Sequence, residues 1–420
     1  MDGCDSHRNG CGRFLAAYFR FCFDNRKWIS FGFLLTFFSS FGQTFLLSLY
    51  VPRILDEFAI SSGFFGGLYA LATVASALTL LHVGRIIDRV DLRTYTLWAA
   101  LVLMVSGLVM AVSVHIAMVF VALFGLRFAG QGLFSHISNT TIARQFDATR
   151  GKALSITSLG YSTGEGIFPL AVGMLIAYAG WRNALITTSA AVALVLIPFI
   201  WFALNAGHRA SAPIGDDAAG PAFSRRALLR DRHFYLLAAN VGFLPFLVTG
   251  LFFHQFALAD FKRWDLDWLS AGFVGFAVGR TVFSLLSGQL IDRFSARKLL
   301  PAYLIPVLGG LLLLATMDHP WAGFLYLFLT GISVGMSGPI KSAALVELYG
   351  SAHLGGIRSV FTTVMVLSTA ASPLLFGLLI DGGWGFPVIL PAGMVLTVAV
   401  SMAGAPFAAS QQITLVSTTR

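Results

Sequence analysis

Apolar residues fall along this chain in twelve runs, each closed by a polar break. The runs lie near 28–50, 61–83, 94–114, 116–139, 152–178, 184–204, 234–258, 270–290, 299–317, 321–344, 356–380 and 386–408. A helix of about 20 apolar residues crosses the roughly 30 Å hydrocarbon core of a bilayer, so each run predicts a transmembrane helix. Most breaks are short. One is long: from 205 to 232 the chain turns polar and flexible, with Gly207, Pro213, Gly215 and Pro221, and then basic through Arg225, Arg226, Arg230 and Arg232. The pattern predicts an all-α membrane protein of two six-helix bundles, 28–204 and 234–408. A linker over 205–233 joins them, and cytoplasmic tails cover 1–27 and 409–420.

The two bundles repeat each other. Gly84-Arg85-Ile86-Ile87-Asp88-Arg89 returns 204 residues later as Gly288-Gln289-Leu290-Ile291-Asp292-Arg293, and the same offset carries Gly151 onto Gly355, Pro169 onto Pro373 and Gly173 onto Gly377. A duplicated membrane unit implies halves that face one another across a pathway, which is how many transporters are built.

Composition sharpens this picture. Hydrophobic residues make up 57% and charged residues 11% of the 420 positions, against roughly 25% charged in a soluble domain, so lipid must serve as solvent. The net charge of +9 is no nucleic-acid footprint. With the N-terminus in the cytoplasm, cytoplasmic segments hold 21 of the 28 Lys and Arg, the opposite turns hold 4 (Arg53, Arg182, Lys262, Arg263) and the spans hold 3; this is the positive-inside asymmetry. Both termini are then cytoplasmic and the membrane is the inner, or plasma, membrane. No removable signal peptide is read in the first 27 residues. Cys4, Cys11 and Cys22 all precede the first span, where thiols stay reduced, and predict neither a disulfide nor a metal site. Gly151-Lys152 lacks the rest of a phosphate-binding loop, and no nucleophile triad or His-Glu-x-x-His is present. Neither ATP, a cofactor nor enzymatic chemistry is expected.

The repeated loop carries its own mechanics. In Gly84-x-x-x-Asp88-Arg89-x-x-x-Arg93 the glycine permits close helix approach, the aspartate suits a helix N-terminus, and the arginines anchor the loop on the cytoplasmic side. Gly288, Asp292 and Arg293 form the partial copy. With the twelve spans and the central linker, this loop resembles that of the major facilitator superfamily, from about Trp28 to Phe407. The resemblance implies a conformational latch: Asp88 would meet the start of the eleventh helix and a basic residue after the fourth, for which Arg144 is the candidate. Asp91-Leu92 departs from the family pattern, which prefers a glycine there.

Away from the span ends, three cations and one acid lie in the interiors of the spans: Arg127, Arg280, Lys341 and Glu165. A charge at mid-membrane costs on the order of 2.5–3.5 kcal/mol even on permissive scales, so each needs compensation. Arg127-Phe128-Ala129-Gly130-Gln131-Gly132 resembles the family's fourth-helix motif, whose bearers are commonly proton-coupled. Glu165 is the acid available to pair with Arg127, and the two are the expected proton-coupling residues, with a static ion pair as the alternative. Arg280 breaks the internal symmetry, since Ser76 stands 204 residues before it. An anchoring residue should recur in both halves, whereas one that touches an asymmetric substrate need not. With cations in excess, an anion held in the guanidinium fork of Arg280 would supply the missing charge. This arginine is similar to one in monocarboxylate and oxalate/formate carriers, although it lies a helical turn further from the Asp292 loop. Gln43, Asn240 and His254 are expected to line the substrate path with Arg280; Ser40, His136, Asn139, Gln255 and Ser333 are further polar candidates.

These residues predict a monomeric secondary transporter working by alternating access, taking up a small organic anion with protons. Proton-driven efflux of amphipathic compounds, and uptake of a larger aromatic nutrient such as a vitamin, remain open.

Overall fold

The computed structural model describes residues 20–146, 149–204, 225–350 and 354–409, and among these it is helical throughout, with no strand. Twelve helices correspond to the twelve apolar runs. They are α1 (Arg26–Gly42 continued by Thr44–Phe58), α2 (Ser62–Asp88), α3 (Leu92–Ala111), α4 (Ile116–Gln145), α5 (Arg150–Ala179), α6 (Trp181–Ala203), α7 (Arg232–Phe253), α8 (Leu266–Phe294), α9 (Ile305–Thr316), α10 (Trp321–Tyr349), α11 (Leu354–Asp381) and α12 (Gly385–Ala409). Ten are long and apolar enough to cross a bilayer as single helices. Helix α1 does so as a pair bent by 43°, and α9 is shorter, because Ala296–Leu299 and the turn through Pro301 take up the start of its run. The tails, the linker up to residue 224, and Cys4 and Cys11 lie outside the described residues.

Packing repeats with the sequence. In the first half α1 packs on α5 and α2 on α4; in the second, α7 packs on α11 and α8 on α10. Contact between the halves runs along two helix pairs, α2 with α11 and α5 with α8. Glycines permit this closeness: a methyl group on Gly377 would lie 2.7 Å from the Cα of Gly63, backbone against backbone.

The break in α1 has an identifiable cause. Gln43 is extended, with ψ 151°, so the helix stops and the carbonyls of its last turn lose their donors. Facing it, α4 loosens into a wider π-helical turn over Arg127–Phe134. Gly42 and Gly130 meet there, and a Cβ on Gly130 would come within 2.7 Å of the Gly42 backbone. Arg127 fills the gap in the hydrogen bonding. Its Nη1 donates to the Gly42 carbonyl at 3.1 Å, its Nε to Thr73 Oγ1 at 3.2 Å, and its guanidinium lies over the Tyr69 ring.

Among the described residues, several hydrogen bonds and ring contacts join the halves at one end. The Asp381 carboxylate, ending α11, accepts from the backbone N–H of Ser62 at 3.1 Å and of Gly63 at 2.8 Å, capping α2 across the half-to-half boundary. Gln255 Nε2 donates to Ser48 Oγ at 2.8 Å, and Phe253 packs on Phe65 and Tyr69. At the other end a Cβ on Gly151 or on Gly288 would meet nothing within 4 Å. There α2 and α11 part around a cleft of about 270 Å³ bounded by Leu78, Leu81, Thr363 and Leu367. The half-to-half hydrogen bonds just described lie on the face of Asp381, which is termed the closed face, and the face of Asp88 is termed the open one.

Candidate functional site

Midway along α5, an ion pair joins the halves: Arg280 of α8 donates through Nη1 to Glu165 Oε1 of α5. The local sequence places both side chains. On α5, Gly160 and Gly164 press against Thr36 and Ser40 of α1, which turns the next residue, Glu165, away from its own bundle. Gly166 brings α5 against α8, where its Cβ would sit 3.2 Å from Ala277. On α8, Gly279 packs on Phe328 of α10, and Gly335 of α10 packs on the Arg280 backbone, leaving the guanidinium to point at α5. Tyr161, one turn before Glu165, offers its ring 5.9 Å from that guanidinium.

The pair is unequal. The Glu165 side chain is 11% exposed and the Arg280 side chain 28%, so the arginine is the more exposed member. Glu165 Oε2 is buried and bonded to nothing among the described residues. The arrangement therefore presents a cation that a carboxylate can approach, next to an acid with a vacant oxygen.

This corrects the expected pairing of Glu165 with Arg127. Arg127 serves the α1 break within the first half, and its Nη2 is buried without a partner. It corrects the premise about Arg280 as well: that residue has a protein counter-ion and is not the uncompensated cation. Lys341 donates to the Val241 carbonyl at 2.9 Å and lies over the Tyr303 ring. Cations still outnumber acids within the spans.

The residues expected to line a path scatter. Gln43 sits half-buried at the α1 break. Asn240 is fully buried, donating to the Leu300 carbonyl at 3.3 Å and accepting from Tyr303 Oη, so it ties α7 to the approach of α9 rather than facing a substrate. His254 bonds the Pro373 carbonyl at 2.9 Å and is likewise buried. His136 bonds the Gly84 carbonyl at 3.0 Å and braces the loop.

The repeated loop makes the following contacts. Arg144 Nη2 lies 2.7 Å from Asp88 Oδ1, and Arg93 stacks on Trp201 with its guanidinium 3.5 Å from the ring centroid. Gly84 is buried and Arg89 exposed. No bond from Asp88 to α11 is present among the described residues. The second copy is built with its charges exchanged. Asp292 and Arg293 are exposed, while Glu347 at the end of α10 accepts from Ser295 Oγ at 2.6 Å, from the N–H of Ala296 at 2.9 Å and from Arg297 Nε at 3.2 Å. Glu347 and Asp381 were not anticipated from sequence, and Gln255, expected among the polar residues of the path, instead bonds Ser48 across the halves. For Glu347 the signal was present, because it adjoins Leu348, which stands 204 residues after Arg144.

Comparison with known proteins agrees with this architecture. The family model for the Major Facilitator Superfamily matches residues 32–279 and 265–411. The uncharacterized MFS-type transporter YcxA of Bacillus subtilis (strain 168) is 23% identical over 373 residues, covering 85% of this chain and 88% of its own. Multidrug resistance protein MdtH of Klebsiella pneumoniae (strain 342) is 24% identical over 194 residues, 44% of this chain and 46% of its own. Among solved structures, the nucleoside transporter NupG matches with a TM-score of 0.69 at 13% identity, over 91% of this chain and 98% of its own. A bacterial homolog of the human lysosomal transporter Spinster, inward-facing and occupied, matches with a TM-score of 0.66 at 14% identity, over 90% and 95%. At these identities the structures bear on fold alone.

Proposed function

We propose that this chain, which belongs to the major facilitator superfamily, couples protons to the uptake of a small organic anion by alternating access. It is a multi-pass membrane transporter and not an enzyme; substrate, coupling and direction are the proposal. The observation that carries it is the Glu165–Arg280 pair spanning the two halves. A carboxylate that reaches the pair competes with Glu165 for the guanidinium. If it wins, Glu165 is left as a buried charge without a partner, a state costing several kcal/mol unless the carboxyl takes up a proton. Displacement and protonation are therefore one event, and each anion carries a proton with it. The open face corresponds to the cytoplasm under the positive-inside assignment, so the structure is read as an inward-open state that has released both.

The similarity of MdtH gives a specific reason to keep a second reading, proton-driven efflux. Purified protein in liposomes separates the two. With an inwardly directed proton gradient, uphill accumulation of a labelled monocarboxylate, absent for its amide, supports the anion reading. Equal handling of acid and amide overturns it, and protection from amphipathic cations under the opposite gradient would favour efflux.

A further inference from the structure

We propose that the closed face of the second half carries a phospholipid site, with the lipid phosphate held by Arg263 and an acyl chain lying along α9 and α12. A pocket of about 620 Å³ opens where the short helix Gln255–Lys262, the end of α9 and the start of α12 meet. Its two sides differ in chemistry. Lys262, Arg263 and Asp318 line one; Leu314, Phe386 and Leu390 line the other.

The depth of the pocket fits a headgroup. Trp264, Trp268, Trp321 and Trp384, four of the eight tryptophans in the chain, all lie at this end of the second half. Trp321 and Trp384 are more than half exposed, and the indole N–H of Trp268 donates to the Pro320 carbonyl at 2.9 Å. Tryptophans gathered at helix ends mark the boundary between hydrocarbon and water. The polar side of the pocket thus faces the headgroup layer, and the apolar side faces the chains.

The two adjacent cations have different employment. Lys262 is folded inward, its ammonium 2.5 Å from Asp318 Oδ1 and 3.3 Å from the Met317 carbonyl. Arg263 makes no side-chain hydrogen bond or ion pair among the described residues, yet it lines the pocket. It also occupies the left-handed position ending the helix, at φ 57° and ψ 39°, where glycine would sit without strain. A strained arginine without an internal partner is suited to a ligand from outside. Pro391 adds an acceptor: it lacks the N–H that would bond the carbonyl of Pro387, which also lines the pocket and can take a hydrogen bond from a headgroup hydroxyl or ammonium. A free phosphate ester would use Arg263 but not the apolar wall, and that difference tells the two sources apart.

The test is native mass spectrometry of the purified full chain, counting retained dioleoyl phosphatidylglycerol or phosphatidylethanolamine. Arg263→Gln should retain one lipid fewer, or bind it about tenfold more weakly, and Leu390→Trp should do the same by filling the acyl side. Arg263→Gly, which suits the left-handed backbone and so folds at least as well as the native chain, should also lose that lipid. Arg53→Gln, on the same face of the other half, should not. Glycerol phosphate at equal concentration should displace nothing. Retention of the lipid by both Arg263 variants overturns the site, and displacement by glycerol phosphate overturns its assignment to lipid.

Discussion

At the scale of single residues, the two members of the central pair should respond differently to removal. Glu165→Gln leaves the more exposed member of the pair in place, so the variant should fold, exchange substrate across the membrane and fail to accumulate it against a gradient; counterflow beside uphill uptake measures this. Arg280→Ala strips the counter-ion from a buried acid and should destabilise the protein by about 3–5 kcal/mol. Arg280→Lys should weaken anion binding without that loss, because the ammonium keeps the charge but not the fork. If the pair is the source of the penalty, adding Glu165→Gln to Arg280→Ala restores most of the stability, and a double-mutant cycle in denaturant reads it. Sequence showed which charges lie inside the membrane, because a lone acid among apolar runs stands out. It did not show their pairing, which depends on how the halves face each other and on how glycines at 164, 166 and 279 turn each helix.

Helices raise a different question, since α1 and α4 are both irregular where they meet. Gly42 and Gly130 touch backbone to backbone, and the nearest atoms a methyl group at either would meet are backbone. Gly42→Ala and Gly130→Ala should each cost roughly 1–3 kcal/mol by overpacking, seen as a lower melting temperature. Arg127→Gln should also destabilise, by leaving the Gly42 carbonyl short of a donor, while the pH dependence of transport stays where it was. A shifted pH profile in that variant would return Arg127 to the coupling machinery. The runs of apolar residues made all twelve spans legible, since length and hydropathy suffice for that. The α1 break was not, because Gly42-Gln43 does not differ from any other small-polar step until the facing arginine is known.

For the whole molecule, the contrast between its ends governs the cycle. Asp381 caps α2 only while its face is closed, so Asp381→Asn should remove on the order of 0.3–1 kcal/mol from this state and shift the population toward the opposite one. Cysteine probes placed on the two faces would report the change, and unchanged labelling would remove Asp381 from the seal. Gly288→Ala offers the mirror test: nothing crowds it here, so stability should hold or rise, while transport slows if the open face must close upon it. The Asp88 loop was legible from its repeat, and the Asp381 contact was not, since it joins residues 318 and 319 positions apart in the chain with no motif at either.

The position of the ion pair between those ends has a mechanical meaning. Glu165 lies 15 residues into α5, about 22 Å from the open tip at 1.5 Å per residue. If the halves rock as rigid arms by about 15°, that tip swings by about 6 Å while the pair, at the fulcrum, hardly moves. Leverage alone then cannot pull Arg280 from Glu165; only cargo able to take the guanidinium can release it. A molecule that enters the open arms without reaching the fulcrum is a wedge, and such compounds should be found among inhibitors and not among cargo.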